Sequence, residues 1–302
     1  MANITAQMVK ELREMTSAGM LDCKKALTAT DGNMEEAVTW LRERGIAKAE
    51  KKAGVVAAEG LCSYAISGNK CVLFELNSQT DFVAQNAKFT ALVEQVGNII
   101  LASNATNTEE ALEVVEGGKT LSTIILEASG VIGEKISLRR VQVLNKADNQ
   151  VFGAYKHMGG RIVTVAVLNG NDEVVAKDVA MHVAALAPKY VSNQDIPADV
   201  IAKEKEIILA AALNENATSA KPKPENIIAE KIVPGRLEKS LKETCLLSQA
   251  FVKNPDQTVE AYVNGAKSSV ACFVRLEVGE GIEKQVNDFA AEVAAQSAAF
   301  NK

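Results

Sequence analysis

Few residues of this chain are of a type that does covalent chemistry. His157 and His182 are the only histidines, and five cysteines stand at Cys23, Cys62, Cys71, Cys245 and Cys272. No two cysteines form a C-x-x-C pair, and only two histidines are present to help ligate an ion, so no metal site is expected. The thiols read as small packed hydrophobes in a reducing compartment. Neither histidine has the neighbours of a triad. No G-x-x-x-x-G-K-[ST], G-x-G-x-x-G or G-x-S-x-G run occurs, so no bound nucleotide or other cofactor is expected. Gly279-Glu280-Gly281 is too short to cradle a phosphate and reads as a turn. An enzyme is therefore the weak class. What remains is a residue whose work would be mechanical: Phe82, inside Thr80-Asp81-Phe82-Val83.

The case for Phe82 comes from an internal repeat. Tyr64 and Tyr155, Gly68 and Gly159, Lys70 and Arg161, Val72 and Val163, Asp81 and Asp172, and Val83 and Val174 are all 91 positions apart. Six pairings without a gap indicate a duplicated β-β-α unit. At that offset Phe82 falls on Glu173. A site that accepts a carboxylate in one copy is not a buried site, because burying an unpaired charge is costly. Phe82 is thus expected to be an exposed aromatic in want of a partner.

The elements that would hold these residues follow from periodicity. Residues 5–45 read as three short helices. Thr5 caps the first, with Val9, Leu12 and Met15 on one face. The second runs from Leu21 to Thr30. Asn33 and Glu36 have capping-box spacing at the head of the third, with Gly45 as its C-cap. Gly19-Met20-Leu21 presents two apolar residues at a turn, either closing this small core or touching a partner. Residues 46–58 are helical in pattern and basic, a solvated face or linker. Leu61–Ile66 with Cys71–Leu76, and Ala154–His157 with Ile162–Leu168, read as hairpins, followed by helices over Phe82–Ala102 and Val174–Leu186. Residues 195–232 read as two antiparallel helices projecting from the core. Leu246–Val252 and Ser269–Val278 read as strands returning to the central sheet, and Asn287–Ala299 as a final amphipathic helix. The fold class is α+β.

At 302 residues, 47% hydrophobic and 24% charged, the chain suits about two globular domains. Aromatics make up only 4%, so the core is mostly aliphatic. A net charge of −5 weighs against direct nucleic-acid binding, which needs phosphate neutralisation. No apolar run reaches membrane-spanning length, and the N-terminus lacks a basic leader, so the cytoplasm is expected and a membrane is not.

Taken in order, five segments resemble the elongation factor Ts family. They are Val9–Glu14 with Gly19–Leu27, Ala57–Gly60, Gln79–Ala84, Ala180–Ala185 and Val278–Lys284. The resemblance implies a ubiquitin-associated-like three-helix module (1–54) and a first core subdomain (55–148). A second core subdomain (149–194 and 234–285) is interrupted by a coiled-coil hairpin (195–233). A C-terminal helical module (286–302) follows. It implies nucleotide exchange on elongation factor Tu, bound both with GDP and nucleotide-free, by an intrusion that displaces Mg²⁺. Thr80, Asp81, Phe82 and Val83 would form the intruding segment. Asp81 and Phe82 would do the work, and Thr80 and Val83 would hold the turn. Met20, Leu21 and His157 would make further partner contacts, and the hairpin could mediate a homodimer. The competing reading is an adaptor that binds a partner without altering its nucleotide. Two departures from the family pattern are local. Ala250 stands where proline is usual, and Pro234 follows Val233, where it should kink or end the second hairpin helix.

Overall fold

The structure is a computed structural model that describes residues 4–16, 18–52, 54–219 and 221–283. The expected helix at Asn287–Ala299, and the module at 286–302, lie outside the described residues. Mixed helix and sheet form two compact units. One comprises the chain up to Ser67, Cys71–Leu144 and the turn that begins at Glu277. The other comprises 68–70 and Asn145–Leu276.

The first unit opens with α1 (Ala6–Thr16), α2 (Met20–Ala29) and α3 (Met34–Lys51). Thr5 Oγ1 accepts the Met8 N–H at 3.2 Å, and Asn33 Oδ1 accepts the Glu36 N–H at 3.2 Å, so both expected caps form. The Glu36 carboxylate accepts from the Asn33 side-chain amide at 2.9 Å. Leu12, Cys23, Ala26, Leu27 and Ala37 make a fully enclosed core, whereas Met15, expected beside Val9 and Leu12, stays exposed.

Gly45 does not cap α3, which runs on to Lys51. Its role is close packing. A Cβ on Gly130 would lie 2.6 Å from the Gly45 carbonyl carbon, so the two backbones touch with no side chain between them. Gly130 belongs to α7 (Leu121–Ile132), the last helix of a series that begins with β1 (Glu59–Ser67), β2 (Lys70–Ser78), α4 (Asp81–Ala84), α5 (Ala87–Ala102), α6 (Thr108–Leu112), β3 (Val115–Glu116) and β4 (Lys119–Thr120), and β5 (Ser137–Asn145) follows it. An Arg42–Glu127 ion pair adds to the α3–α7 contact. The three helices are therefore joined to the first sheet through α7, and 46–51 is helix, not linker. The sheet order is β1-β2-β5. Central β2 is buried from Cys71 to Ser78, with Val72, Phe74 and Leu76 packed against Phe89, Val93, Val96 and Ile100 of α5.

The second unit repeats this order. β6 (Gln150–His157) pairs antiparallel with β7 (Ile162–Asn169), in register from Gln150 opposite Asn169 to His157 opposite Ile162. α8 (Glu173–Leu186) follows. Then come α9 (Ala198–Ala217), α10 (Glu225–Ile227), a π-helical turn over Ile228–Ile232, and α11 (Val233–Thr244). Next are β8 (Ala250–Phe251), β9 (Asn254–Thr258), α12 (Val259–Gly265) and β10 (Ser269–Glu277). The sheet order β6-β7-β10 matches β1-β2-β5. In both units a two-stranded ribbon precedes a helix capped by a threonine, Thr120 or Thr258, and that helix leads into the third strand.

Two expectations change here. Leu246–Val252 does not return to the sheet. Leu246–Ser248 is a 3₁₀ turn, and Ala250–Phe251 pairs only with β9 in a separate ribbon. Of the two segments, only Ser269–Glu277 joins the sheet. The hairpin also runs longer than 195–233, since its second arm reaches Thr244. Pro234 does not end the helix. Proline lacks an N–H and crowds the carbonyl four residues back, and the widened π turn at 228–232 lies where that bond is lost. The hairpin has its own core of Ala212, Ile228 and Val233, lined by Ile208, Leu209, Leu213 and Ile232.

Candidate functional site

Thr80–Val83 forms the turn from β2 into α4. Thr80 is the N-cap, and its backbone is extended. Its hydroxyl accepts the Val83 N–H at 3.4 Å and donates to Glu134 Oε1 at 2.7 Å, while its own N–H donates to Glu134 Oε2 at 3.0 Å. The Ser78 hydroxyl donates to the Thr80 carbonyl at 3.0 Å. Val83 points inward and joins the core with Phe89 and Leu92. Asp81 and Phe82 face solvent, and Phe82 is 82% exposed. Burying a phenylalanine side chain is worth roughly 1.5–3 kcal/mol. Fixing one in water on a pinned turn forgoes that gain.

The second copy shows how the sequence offset misled. Asp172, not Asn171, is the N-cap of α8, accepting the Val174 and Val175 N–H groups at 3.0 Å. One extra residue after β7 moves the helix start, so the structural counterparts are 92 positions apart at this point. Thr80 matches Asp172, Asp81 matches Glu173, Phe82 matches Val174, and Val83 matches Val175. Val83 and Val175 are buried, at 8% and 5%, while Phe82 and Val174 are both exposed. Phe82 is exposed as expected, but the ground for expecting it fails, because the contrast is aromatic against aliphatic, not aromatic against charge.

The other candidates sit on separate elements. Met20 and Leu21 open α2 behind Gly19 and are 59% and 74% exposed, so they do not close the three-helix core. His157 ends β6 and is exposed. Its Nδ1 lies 3.2 Å from the Tyr155 hydroxyl, and the turn beyond it carries exposed Met158. His182 is fully buried in α8. Its Nδ1 accepts the Val252 N–H at 3.1 Å, which leaves Nε2–H to donate to Gln249 Oε1 at 2.9 Å. Burial holds its pKa below the usual value, against a smaller opposing effect from Gln249. His182 is thus a neutral tie between α8 and the 246–252 segment.

Sequence reading missed a buried ionic cluster in the first unit. Glu75 of β2 has no exposed surface. It accepts from Arg139 Nη1 at 3.0 Å, from Arg140 Nε, from Asn77 Nδ2 at 2.9 Å and from the Gly279 N–H at 2.8 Å. Arg140 reaches Glu280 at 3.1 Å and the Glu277 carbonyl at 2.6 Å. Burial draws the Arg140 pKa down, but Glu75 and Glu280 outweigh it and the net shift is upward. The Gly279-Glu280-Gly281 turn is thereby fastened to the sheet. Gly279 has φ +74°, and a Cβ there would lie 2.4 Å from the Ala58 carbonyl oxygen. The available signal was an acidic residue inside an apolar run, Cys71–Leu76, with an Arg-Arg pair downstream. Burial pushes the Cys62 and Cys71 thiols up to about 12, with Glu75 adding to the rise at Cys62, so neither is a nucleophile.

A family model described as Elongation factor TS matches residues 79–280. A curated Elongation factor Ts from Acholeplasma laidlawii (strain PG-8A) is 53% identical over 294 residues, covering 97% of this chain and 98% of that protein. The chain belongs to the elongation factor Ts family. Membership implies nucleotide exchange on elongation factor Tu in translation elongation, an activity that makes and breaks no covalent bond. Among the described residues, no helix is long and apolar enough to cross a membrane.

Proposed function

We propose that Asp81 and Phe82 are the intruding residues of this elongation factor Ts family member. They enter the nucleotide domain of elongation factor Tu and displace the Mg²⁺ that helps hold GDP. The ion neutralises phosphate charge, so its loss weakens the nucleotide's hold. The observation that supports this reading is Phe82, exposed on a turn whose cap and inward side chain are both fixed. Exposed Met20 and Leu21 supply an apolar contact to the same partner, and His157 supplies another. Both the GDP-bound and the nucleotide-free partner are engaged. Exchange is a coupling of two ligands on one protein, so this chain weakens GDP by the same factor by which GDP weakens its own binding. Each tenfold loss of GDP affinity draws on about 1.4 kcal/mol of differential binding.

The test is release of a fluorescent GDP analogue from elongation factor Tu. Addition of this protein is expected to raise the off-rate. An off-rate that does not move, with binding intact, would favour the adaptor instead.

A further inference from the structure

The bonds around Thr80 converge on Gly133-Glu134-Lys135, a loop to which the motif gives no role. Gly133 ends α7 in the left-handed conformation, at φ +88°. Towards the site, the Glu134 carboxylate accepts the Thr80 N–H at 3.0 Å and hydroxyl at 2.7 Å, and the Lys135 N–H donates to Gln79 Oε1 at 3.2 Å. Towards the N-terminal helices, Lys52 Nζ donates to the Gly133 carbonyl, and Lys135 Nζ donates to the Val55 carbonyl at 2.9 Å. From α7, the Ser129 hydroxyl donates to the Glu134 carbonyl. The loop is thus fixed on three sides.

The chemistry at Thr80 gives Glu134 a specific task. A threonine hydroxyl has one proton and two lone pairs. Once its proton is committed to a carboxylate, a lone pair is left for the Val83 N–H, and the charged acceptor strengthens both bonds. The Glu134 carboxylate therefore sets the rotamer of the cap. The cap sets the first turn of α4, and that turn aims Phe82. A helix of four residues has little cooperativity of its own to do this.

We propose that Glu134 is a positioning residue for Phe82, and that loop 133–135 links the tail of α3 to the exchange site. This rests on the reading above that Phe82 is the intruding residue. Removing the carboxylate should loosen the turn without unfolding the chain, since Glu134 is only half-buried.

The experiment compares full-length wild type, Glu134→Ala, Glu134→Gln and Lys52→Met by amide hydrogen exchange across residues 79–86 and by stimulated GDP release. For Glu134→Ala we expect exchange at the Thr80 and Val83 amides, the first bonded to the carboxylate and the second to the Thr80 hydroxyl, to rise about tenfold, the order of losing one charge-assisted bond. The maximal release rate should fall by a similar factor, with the half-saturating concentration changed less than about twofold, the pattern of lost positioning and retained binding. Glu134→Gln keeps the volume and one acceptor, so it should lie between. Lys52→Met should shift both readouts in the same direction by less. In a Phe82→Ala background, Glu134→Ala should lower the rate no further. Unchanged amide exchange in both Glu134 variants would overturn the clamp, and an unchanged maximal rate despite a loosened turn would overturn the positioning role. If Lys52→Met changes nothing, the link to α3 falls. If wild type does not accelerate release at all, the functional reading fails, while the amide exchange still decides whether Glu134 orders the turn.

Discussion

Phe82 and Val83 are neighbours with opposite fates, and the difference is one helical step. A cap at Thr80 places Val83 inward and Phe82 outward. Phe82→Ala should therefore leave the core untouched and the unfolding free energy within about 0.5 kcal/mol of wild type. Its binding to elongation factor Tu should persist, and most of the acceleration of GDP release should vanish, as stopped-flow fluorescence would show. A variant that exchanges at the wild-type rate would sink the wedge assignment. His182 offers a second residue-scale test. Its folded pKa lies below the ordinary value of 6.5, so the unfolded chain takes up a proton first. Its contribution to stability is complete above about pH 6.5 and is lost as the pH falls below it, with a slope of at most about 1.4 kcal/mol per pH unit. Urea unfolding between pH 7.5 and 5.5 should show the decline, and His182→Gln should flatten it. Identical slopes would mean the histidine charges freely in the folded state.

Among the elements, α7 has the densest set of duties. Its Gly130 meets α3, and its C-terminal loop meets the Thr80–Val83 turn. The α3–α7 contact is asymmetric. A Cβ on Gly130 would collide with the Gly45 backbone at 2.6 Å, whereas one on Gly45 would find the Gly130 Cα at an ordinary 3.6 Å. Gly130→Ala should destabilise by about 1–3 kcal/mol through overpacking. Gly45→Ala should be neutral, or stabilising by up to about 1 kcal/mol from helix propensity. Chemical denaturation of the two variants decides, and equal costs would show that the helices do not pack by glycine contact. Gly45 looked like a helix stop because glycine after an amphipathic run usually is one. Its packing partner is 85 positions away, too far for any local pattern to show.

At the scale of the molecule, the helical hairpin is an insertion with a closed base. Lys189 N–H donates to the Thr244 carbonyl at 2.9 Å, and Leu246 and Leu247 N–H donate to the Tyr190 and Val191 carbonyls at 2.9 and 3.0 Å. The hairpin packs on its own side chains, Ile228, Val233 and Ala212 among them. Replacing residues 196–241 with a short Gly-Ser linker should leave the second sheet folded. We expect one cooperative melt with a midpoint within about 5 °C of wild type, because loop length enters closure entropy only logarithmically. Loss of the near-ultraviolet signal from stacked Phe251 and Tyr262 would show the hairpin to be structural instead.

The sequence alone determined what local physics can encode. Caps at Thr5 and Asn33, two hairpins, a helical hairpin and a repeat all follow from spacing within a few residues or from self-similarity. Phe82 does face outward, but the pairing with Glu173 from which that was read is one residue out of register. The family motifs were equally legible, because they are contiguous. Only the tertiary structure decided what depends on distant partners. It moved the repeat register by one residue at α8, where an added loop residue resets the cap. It turned Gly45 from a stop into a contact, and it took Leu246–Val252 out of the sheet. It also gathered Glu75, Arg139, Arg140 and Gly279 from three segments. It tied Glu134 to Thr80 across 54 positions. Such pairings form where chain folding lowers the free energy of a charge or a close contact, and no periodicity within either segment records the partner.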